Sequence, residues 1–207
     1  MITLVQGSRP TTHNHLVDAM FKARAVVFRD RLGWAVDVRN GRERDRYDDL
    51  DPLYLVSVGP TGVARASIRL MPTTGPTLLS DVFADTFDEP VDLKSATLWE
   101  ATRFCIHPEA DPRAEQSIAA EILMGICEVG LMSGLTGIIG VYDPRLIRIY
   151  GRIGWQPEPL ARSTRYGTGP IYVGLWEVSE RALAGMRARA GVAYSVLDGV
   201  PADVRAA

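Results

Sequence analysis

The chain is 207 residues long, the size of a single domain that can bury roughly 70% of its unfolded surface. Apolar residues make up 46% and charged residues 23%, a globular balance that excludes a disordered chain, a collagen-like fibre and a coiled coil. Twenty-three basic residues against twenty-five acidic ones leave a net charge of −2, without the basic excess that nonspecific nucleic-acid binding requires.

Cys105 and Cys127 stand far apart, outside any metal or redox spacing, and read as buried thiols of a reducing compartment. No metal-ligand constellation is expected. His13 and His15 read as exposed N-terminal residues, and His107 as a strand-end residue. No stretch reaches eighteen uninterrupted apolar residues and the N-terminal segment has no secretory core, so a soluble cytoplasmic protein without stable membrane insertion is expected.

In chain order, Leu4 to Pro10 reads as a short strand. From an N-cap at Thr12, Leu16, Met20, Ala23 and Val27 recur at helical spacing. Arg24 and Phe28 fall on a neighbouring stripe, and Gly33 ends the helix. Residues 34–52 are crowded with charge and read as a long loop with at most short helical pieces, a kind of segment that is usually functional or disordered. A hairpin follows, Leu53 to Val58 and Val63 to Met71 around Gly59-Pro60-Thr61-Gly62. Leu78 to Phe87 is mixed, with Asp81 able to cap a short helix.

Thr97 to Ile106 reads as a strand ending at His107-Pro108. A long helix runs from Asp111 or Pro112 to about Ser133, with Ile118, Ile122, Gly125/Ile126 and Val129 as its apolar stripe. Ile138 to Tyr142 has no charge and reads as a central strand. Asp143-Pro144 starts a helix to about Ile153, stopped by Gly154-Trp155. Gln156 to Leu160 and Ile171 to Val178 read as strands joined by an Arg-rich loop, and Ser179 caps a last helix to about Arg189. Residues 1–190 are expected to form the domain, and 191–207 a weakly ordered tail. This order predicts an α/β fold with a mixed sheet flanked by helices. A strand–helix–strand–helix core after an antiparallel hairpin suits the acyltransferase fold built around a splay between two parallel strands.

Period-two alternation along 97–106 puts Glu100, Thr102 and Phe104 on one face and Trp99, Ala101, Arg103 and Cys105 on the other. Glu100 and Arg103 can therefore serve one site only if a bulge or the strand end re-aims one of them. Charges inside so apolar a strand are costly unless paired. Taken singly, residues 45–48 read as a solvated loop, Trp34 as a core anchor, and Glu100 with Arg103 as a structural ion pair.

Together they read differently. Arg24, Phe28, Trp34, Asp45, Asp48, Arg69, Phe83, Glu100 and Arg103, in the strings RAVVFRDRLGW (24–34), DRYD (45–48), SIRLMPTTGPTLL (67–79) and WEATRF (99–104), resemble the signature of the acyl-homoserine-lactone synthases, the LuxI-type autoinducer synthases of bacterial quorum sensing. The resemblance covers roughly residues 16–155 in order, spacing and residue type.

The resemblance implies a single-domain, N-acetyltransferase-like fold with a central V-splayed mixed sheet. It implies an enzyme that acylates the amine of S-adenosylmethionine from an acyl thioester, usually on acyl carrier protein, closes the lactone and expels methylthioadenosine. S-adenosylmethionine is then a substrate, and no cofactor or metal is called for. Phe28 and Trp34 would offer π-faces to the sulfonium or the adenine. Arg24 or Arg103 would fork onto the carboxylate, and Phe104 would lie against the same substrate. Glu100 would be the general base, directly or through one water. Asp45 and Asp48 would hold Arg24, Arg69 and Arg103 in a network, and a backbone N–H near Phe104 or Cys105 would serve the oxyanion. An acyl tunnel is expected from Phe83, Leu98, Ile122, Met124, Ile126, Ile139 and Gly140. At Gly140 relatives can carry a hydroxyl, so its absence suggests a donor without a 3-oxo group. The loop His107 to Pro112 has no glycine and two acids, which disfavours a coenzyme A pyrophosphate. Arg145, Arg148 and Arg152, with Arg162 and Arg165 nearby, would dock an acidic carrier protein. Two rivals are an acyl-CoA-dependent N-acyltransferase of the same fold acting on another amine, and a non-catalytic acyl-lipid binder that keeps the fold.

Overall fold

A computed structural model describes residues 1–7, 13–166 and 169–199. Nine strands and five α-helices are named here: β1 Ile2–Gln6, α1 Asn14–Arg24, β2 Val38–Arg39, β3 Arg42–Glu43, β4 Leu53–Val58, β5 Ala64–Pro72, α2 Leu78–Val82, β6 Leu98–Ile106, α3 Glu115–Met132, β7 Gly137–Tyr142, α4 Ile147–Ile153, β8 Glu158–Ser163, β9 Ile171–Glu177 and α5 Glu180–Ala190. Seven strands form one sheet in the order β1-β4-β5-β6-β7-β9-β8. β6 and β7 are parallel, whereas β1/β4, β4/β5, β7/β9 and β8/β9 are antiparallel. This is the mixed sheet with helices that the element order predicts.

The parallel pair is short. β6 and β7 are in register only at Leu98–Gly137, Trp99–Ile138 and Glu100–Ile139. Beyond Ile139, β7 stays paired to β9 through Tyr142, while β6 runs on to Ile106. The paired register of the two strands therefore ends at Glu100 and Ile139.

β6 also carries the expected irregularity. Arg103 has φ +57°, a left-handed conformation uncommon for a residue other than glycine. His107 N–H bonds Arg65 O and Thr73 N–H bonds Leu98 O, so β6 uses one residue more than β5 between these anchors. That is a β-bulge, and the strand's parity changes there: Glu100 and Thr102 are buried before it, Cys105 after it.

Within the fold the chain gathers into two compact units. Unit 1 comprises Met1–Leu70, Arg103–Gly125 and the stretch from Ser195; unit 2 comprises Met71–Thr102 and Ile126–Tyr194. In unit 1, Leu16, Met20 and Phe21 of α1 pack with Val5, Tyr54, Val56 and Ala64. In unit 2, Leu79, Ile139 and Val173 form a cluster joined by Phe83, Phe87, Leu93, Leu98, Val141 and Ala161.

Several boundaries differ from the sequence reading. The first strand is Ile2–Gln6, not Leu4 to Pro10, because Gly7 (φ +60°) turns the chain. Thr12, expected as the first helix cap, lies outside the described residues. α1 begins at Asn14 with His13 in the cap position and no side-chain cap bond, and it passes into a π-helical turn, Ala25–Arg31. That wider turn moves the buried stripe from Ala23 to Phe28, leaving Val27 only half-buried.

The 34–52 loop is more structured than expected. Asn40 and Gly41 both have positive φ, the backbone that a two-residue hairpin turn demands, and they join β2 to β3. Residues Arg46–Asp49 form a 3-10 turn capped by Asp45. α2 is capped by Thr77 in a capping box with Ser80, not by Asp81. β8 is shifted to Glu158–Ser163, so Arg162 belongs to a strand rather than the loop. The expected tail is partly tied down: Ser195, Val196 and Leu197 are buried, and Ile2 bonds Val196 O and Asp198 N–H through its backbone. Residues 200–207 lie outside the described residues.

α3 follows a 3-10 turn at Pro112–Ala114 and is buried on every side from Ile122 to Gly130, a stretch that is apolar except for Glu128, which pairs with Arg187. Asp143 and Pro144 open the next helical segment, Gly154 closes α4 at φ +93°, and Ser179 caps α5, all at the expected residues.

Candidate active site

Unit 1 draws six charged side chains from five segments into one buried network. Arg24 comes from the end of α1, Glu43 from β3, Asp45 and Asp48 from the 3-10 turn, Arg69 from β5 and Arg103 from the bulge of β6. Arg24 donates from Nε to Glu43 Oε2 (2.5 Å) and forks onto Asp48 with two bonds of 2.9 Å. Arg69 forks onto Asp45 (2.5 and 3.0 Å) and also reaches Asp48 at 2.8 Å. Arg103 donates to Glu43 Oε1 at 3.1 and 3.2 Å and pairs with Asp45 at 2.8 Å. Three guanidinium charges thus meet three carboxylates. Mutual pairing is what makes their burial tolerable, since an unpaired buried ion would lose several kcal/mol of hydration.

Asp48 is the hub. It also accepts from Tyr54 OH (2.7 Å) and from the Asp45 backbone N–H (2.9 Å). Burial works against its charge, but Arg24 and Arg69 together hold its carboxyl well below the ordinary carboxylate range. Burial likewise opposes the charge on Arg24, and the pull of Asp48 and Glu43 outweighs it, holding Arg24 protonated. Burial, then the Asp48 charge, pushes the Tyr54 phenol up, so it stays a donor.

The network is not uniformly sealed. The side chains of Arg24, Arg69, Glu43 and Asp48 are at most 1% exposed, whereas Arg103 is 9% and Asp45 18% exposed. Of the two arginines expected to fork onto a substrate carboxylate, Arg24 is bonded to Asp48 and Glu43, and Arg103, bonded to Glu43 and Asp45, is the more accessible guanidinium. Beside it, Trp34 stacks on Phe28 with centroids 5.1 Å apart at 20°, and Arg103 Cζ lies 5.5 Å from the Phe28 ring centroid. Trp34 is 45% exposed, so it presents an aromatic face rather than anchoring a core. Phe104 follows the bulge and is half-buried.

Glu43 escaped the sequence reading, as did Tyr47 and Tyr54. Arg69 Cζ sits 5.5 Å from the Tyr47 ring centroid. Glu43 was legible in principle, because Asn40-Gly41 marks a hairpin that turns the charged segment back on itself.

In unit 2, Glu100 is fully buried and accepts from the backbone N–H groups of Leu78 (3.0 Å) and Leu79 (2.5 Å). It therefore anchors the start of α2, a job that the sequence did not suggest. Phe83, Leu98 and Ile139 belong to the cluster built on Leu79 and Val173, and Phe83 also meets Tyr166 edge-on at 4.7 Å. The other expected tunnel residues do not join that cluster. Ile122, Met124 and Ile126 fill the all-round buried part of α3. Gly140 has a packing reason: a Cβ there would lie 2.8 Å from Ala101 O.

Arg145, Arg148 and Arg152 are all exposed, but Arg145 is tied to Asp143 by bonds of 2.8 and 2.6 Å. Arg165 pairs with Asp85 at 3.3 Å. In the 107–112 loop, Asp111 accepts from the Arg113 N–H and so caps the 3-10 turn at Pro112–Ala114 with an acid. His107 is buried, with Nε2 3.0 Å from Ser67 Oγ, and burial pushes its imidazole down to about 4. Cys105 lies 3.6 Å from the same hydroxyl.

Comparison with known proteins bears out the family resemblance. Residues 9–185 match the autoinducer synthase family. The chain is 50% identical over 181 residues to an acyl-homoserine-lactone synthase of Rhizobium etli, covering 86% of this chain and 85% of that one. It is 33% identical over 170 residues to the acyl-homoserine-lactone synthase of Agrobacterium fabrum, covering 80% and 81%. The fold is similar to that of BjaI, a coenzyme-A-dependent acyl-homoserine-lactone synthase solved with S-adenosylmethionine and isopentyl-CoA, with a TM-score of 0.85, 20% identity and coverage of 99% and 96%.

Proposed function

The chain belongs to the autoinducer synthase family and is an acyl-homoserine-lactone synthase, and we propose that it acylates S-adenosylmethionine from an acyl carrier protein and releases methylthioadenosine as the lactone closes. The observation that carries this reading is the neutral three-arginine, three-carboxylate network with the Phe28–Trp34 stack at its exposed edge.

The substrate carries a carboxylate, an ammonium, a sulfonium and an adenine. Arg103 receives the carboxylate, and Asp45, the more exposed acid, faces the ammonium. Trp34 and Phe28 offer π-faces to the sulfonium or the adenine, an attraction of about 0.5–2 kcal/mol for the cation. Arg24, Asp48, Arg69 and Glu43 act as positioning residues that hold Arg103 and Asp45 in place.

Attack on the thioester needs a neutral amine. Glu100 takes the proton through a water. The tetrahedral oxyanion is met by a backbone N–H beside the bulge at Phe104 or Cys105. The amine–acyl bond forms as the thiolate leaves. The new amide's substrate carboxylate then attacks the γ-carbon, and the neutral thioether methylthioadenosine departs with the C–S electron pair. No resident cofactor is called for, since the sulfonium is itself the leaving group.

The carrier-protein donor is supported by the exposed Arg148 and Arg152 on α4 and by the acid-filled entry at Asp111. A coenzyme A donor is the second reading, favoured by the similarity of the fold to a coenzyme-A-dependent synthase. Purified protein given labelled S-adenosylmethionine with either acyl-carrier protein or acyl-CoA tests both readings. Methylthioadenosine and lactone release with the carrier protein, at a KM raised by Arg148→Glu with Arg152→Glu, is expected. Turnover with acyl-CoA alone overturns the donor assignment, and absence of methylthioadenosine with either donor overturns the reaction.

A further inference from the structure

Ser67, Cys105 and His107 form a polar cluster in unit 1 that the proposed reaction does not use. All three are buried. Ser67 Oγ lies 3.0 Å from His107 Nε2 and 3.6 Å from Cys105 Sγ. His107 also meets the backbone of Ala64 in a bond that favours the protonated ring, which makes it donation to the carbonyl. Burial keeps the ring neutral, and a neutral imidazole has one donor and one acceptor nitrogen. Nε2 is therefore the acceptor. The one hydroxyl proton of Ser67 goes to it, and the oxygen accepts from the Cys105 thiol. The protons of the cluster thus have a single arrangement.

The cluster ties β5 to β6 just past the bulge. Ser67 stands two residues before Arg69 on β5 and shares its face. Cys105 stands two residues after Arg103 on β6. Arg69 and Arg103 are joined through Asp45, which takes the Arg69 fork and pairs with Arg103 at 2.8 Å. Short lengths of strand and polar bonds therefore close a circuit from Ser67 through Arg69, Asp45, Arg103 and Cys105 back to Ser67. The strained member is Arg103, at φ +57°. Such a backbone persists only where its neighbours over-determine it. Glu43 and Asp45 hold the tip of the Arg103 side chain. The Ser67 cluster, with the His107 N–H bond to Arg65 O at 2.8 Å, holds the chain directly after it.

We infer that Ser67, with His107 and Cys105, is a positioning residue for S-adenosylmethionine that locks the bulge presenting the Arg103 guanidinium. The inference rests on the proposed reading in which Arg103 receives the substrate carboxylate. Ser67 itself touches no substrate. Without its hydroxyl, Nε2 and the thiol lose their shared partner in a buried site, a loss that water does not make good there. The bulge then keeps only its ion pairs, and a chain that relaxes toward regular alternation turns Arg103 off its face.

The test measures KM for S-adenosylmethionine, kcat and melting temperature at a saturating acyl donor. Ser67→Ala and Cys105→Ala are made in the wild-type and Arg103→Lys backgrounds, and Cys105→Ser in wild type. Ser67→Ala is expected to raise KM about fivefold to tenfold, the size of one lost hydrogen bond, with kcat within about twofold. Cys105→Ala should act in the same direction, and Cys105→Ser, which keeps a donor, should restore the wild-type KM. In the Arg103→Lys background both alanine variants should change KM by less than about twofold, because the group they position is gone. Should Ser67→Ala fail to fold, the Cys105→Ala and Cys105→Ser pair carries the same comparison. A lowered melting temperature with wild-type KM in the alanine variants, or an equal rise of KM in both backgrounds, overturns the positioning role. Arg103→Lys with a wild-type KM, or no methylthioadenosine from the wild-type enzyme with either donor, instead overturns the parent reading, and the positioning role with it.

Discussion

Arg103 and Glu43, sixty residues apart in sequence, meet through two bonds from one guanidinium to a single carboxylate oxygen. The contact exists because Arg103 occupies a left-handed bulge position and Glu43 is returned by a hairpin. Arg103→Lys keeps the charge but loses the planar fork. Charge-assisted bonds of this kind contribute about 1.5–3 kcal/mol each. Turnover at fixed substrate should fall by about tenfold to a hundredfold, with the far-ultraviolet circular dichroism unchanged.

Glu43→Gln removes the negative charge that Arg24 and Arg103 share. Both guanidiniums would remain buried with one carboxylate fewer, and breaking a buried pair in this way costs about 3–5 kcal/mol. The denaturation midpoint in urea should drop accordingly. Wild-type stability in this variant would show that the network tolerates a net positive charge.

Trp34→Ala should separate binding from folding. The ring is 45% exposed and its protein neighbour is Phe28, so its removal leaves no large cavity. If it faces the sulfonium or adenine, KM for S-adenosylmethionine should rise about twofold to thirtyfold, with kcat and the melting temperature nearly unchanged.

Stability should depend on pH through His107. Burial holds its imidazole at about 4 in the folded chain, below the usual 6.5. Between those values the unfolded chain binds a proton that the folded chain does not, so stability is complete above pH 6.5 and declines as pH falls toward 4, by on the order of 3 kcal/mol. Asp48 is depressed further, and its contribution is lost only in stronger acid, as pH falls through its folded value. His107→Asn should flatten the slope of unfolding free energy between pH 6.5 and 4. An unchanged slope would show that other groups carry it.

Gly140→Thr tests the packing reason for that glycine. A Cβ only 2.8 Å from Ala101 O forces the strands apart, an overpacking cost of about 1–3 kcal/mol. The melting temperature should fall, and the proportion of 3-oxo product should not rise.

The amino-acid sequence by itself determined the element order, the Ser179 cap, the Asp143-Pro144 start and the central apolar strand, because capping, proline placement and hydrophobic period are local properties. It also carried the resemblance of Arg24, Phe28, Trp34, Asp45, Asp48, Arg69, Phe83, Glu100 and Arg103 to one family signature. Period-two alternation also showed that Glu100 and Arg103 can serve one site only if a bulge or the strand end re-aims one of them. Who pairs with whom was decided only by the tertiary structure. Glu43 enters the network because a hairpin folds it back on Arg24, Glu100 anchors α2 because that helix begins beside β6, and Ile122, Met124 and Ile126 are buried within α3. The physical reason is common to all three. A charge or methylene in a chain has no fixed environment until distant strands bring a counter-charge or a packed neighbour within a few ångströms, and those distances follow from register and twist, not from local spacing.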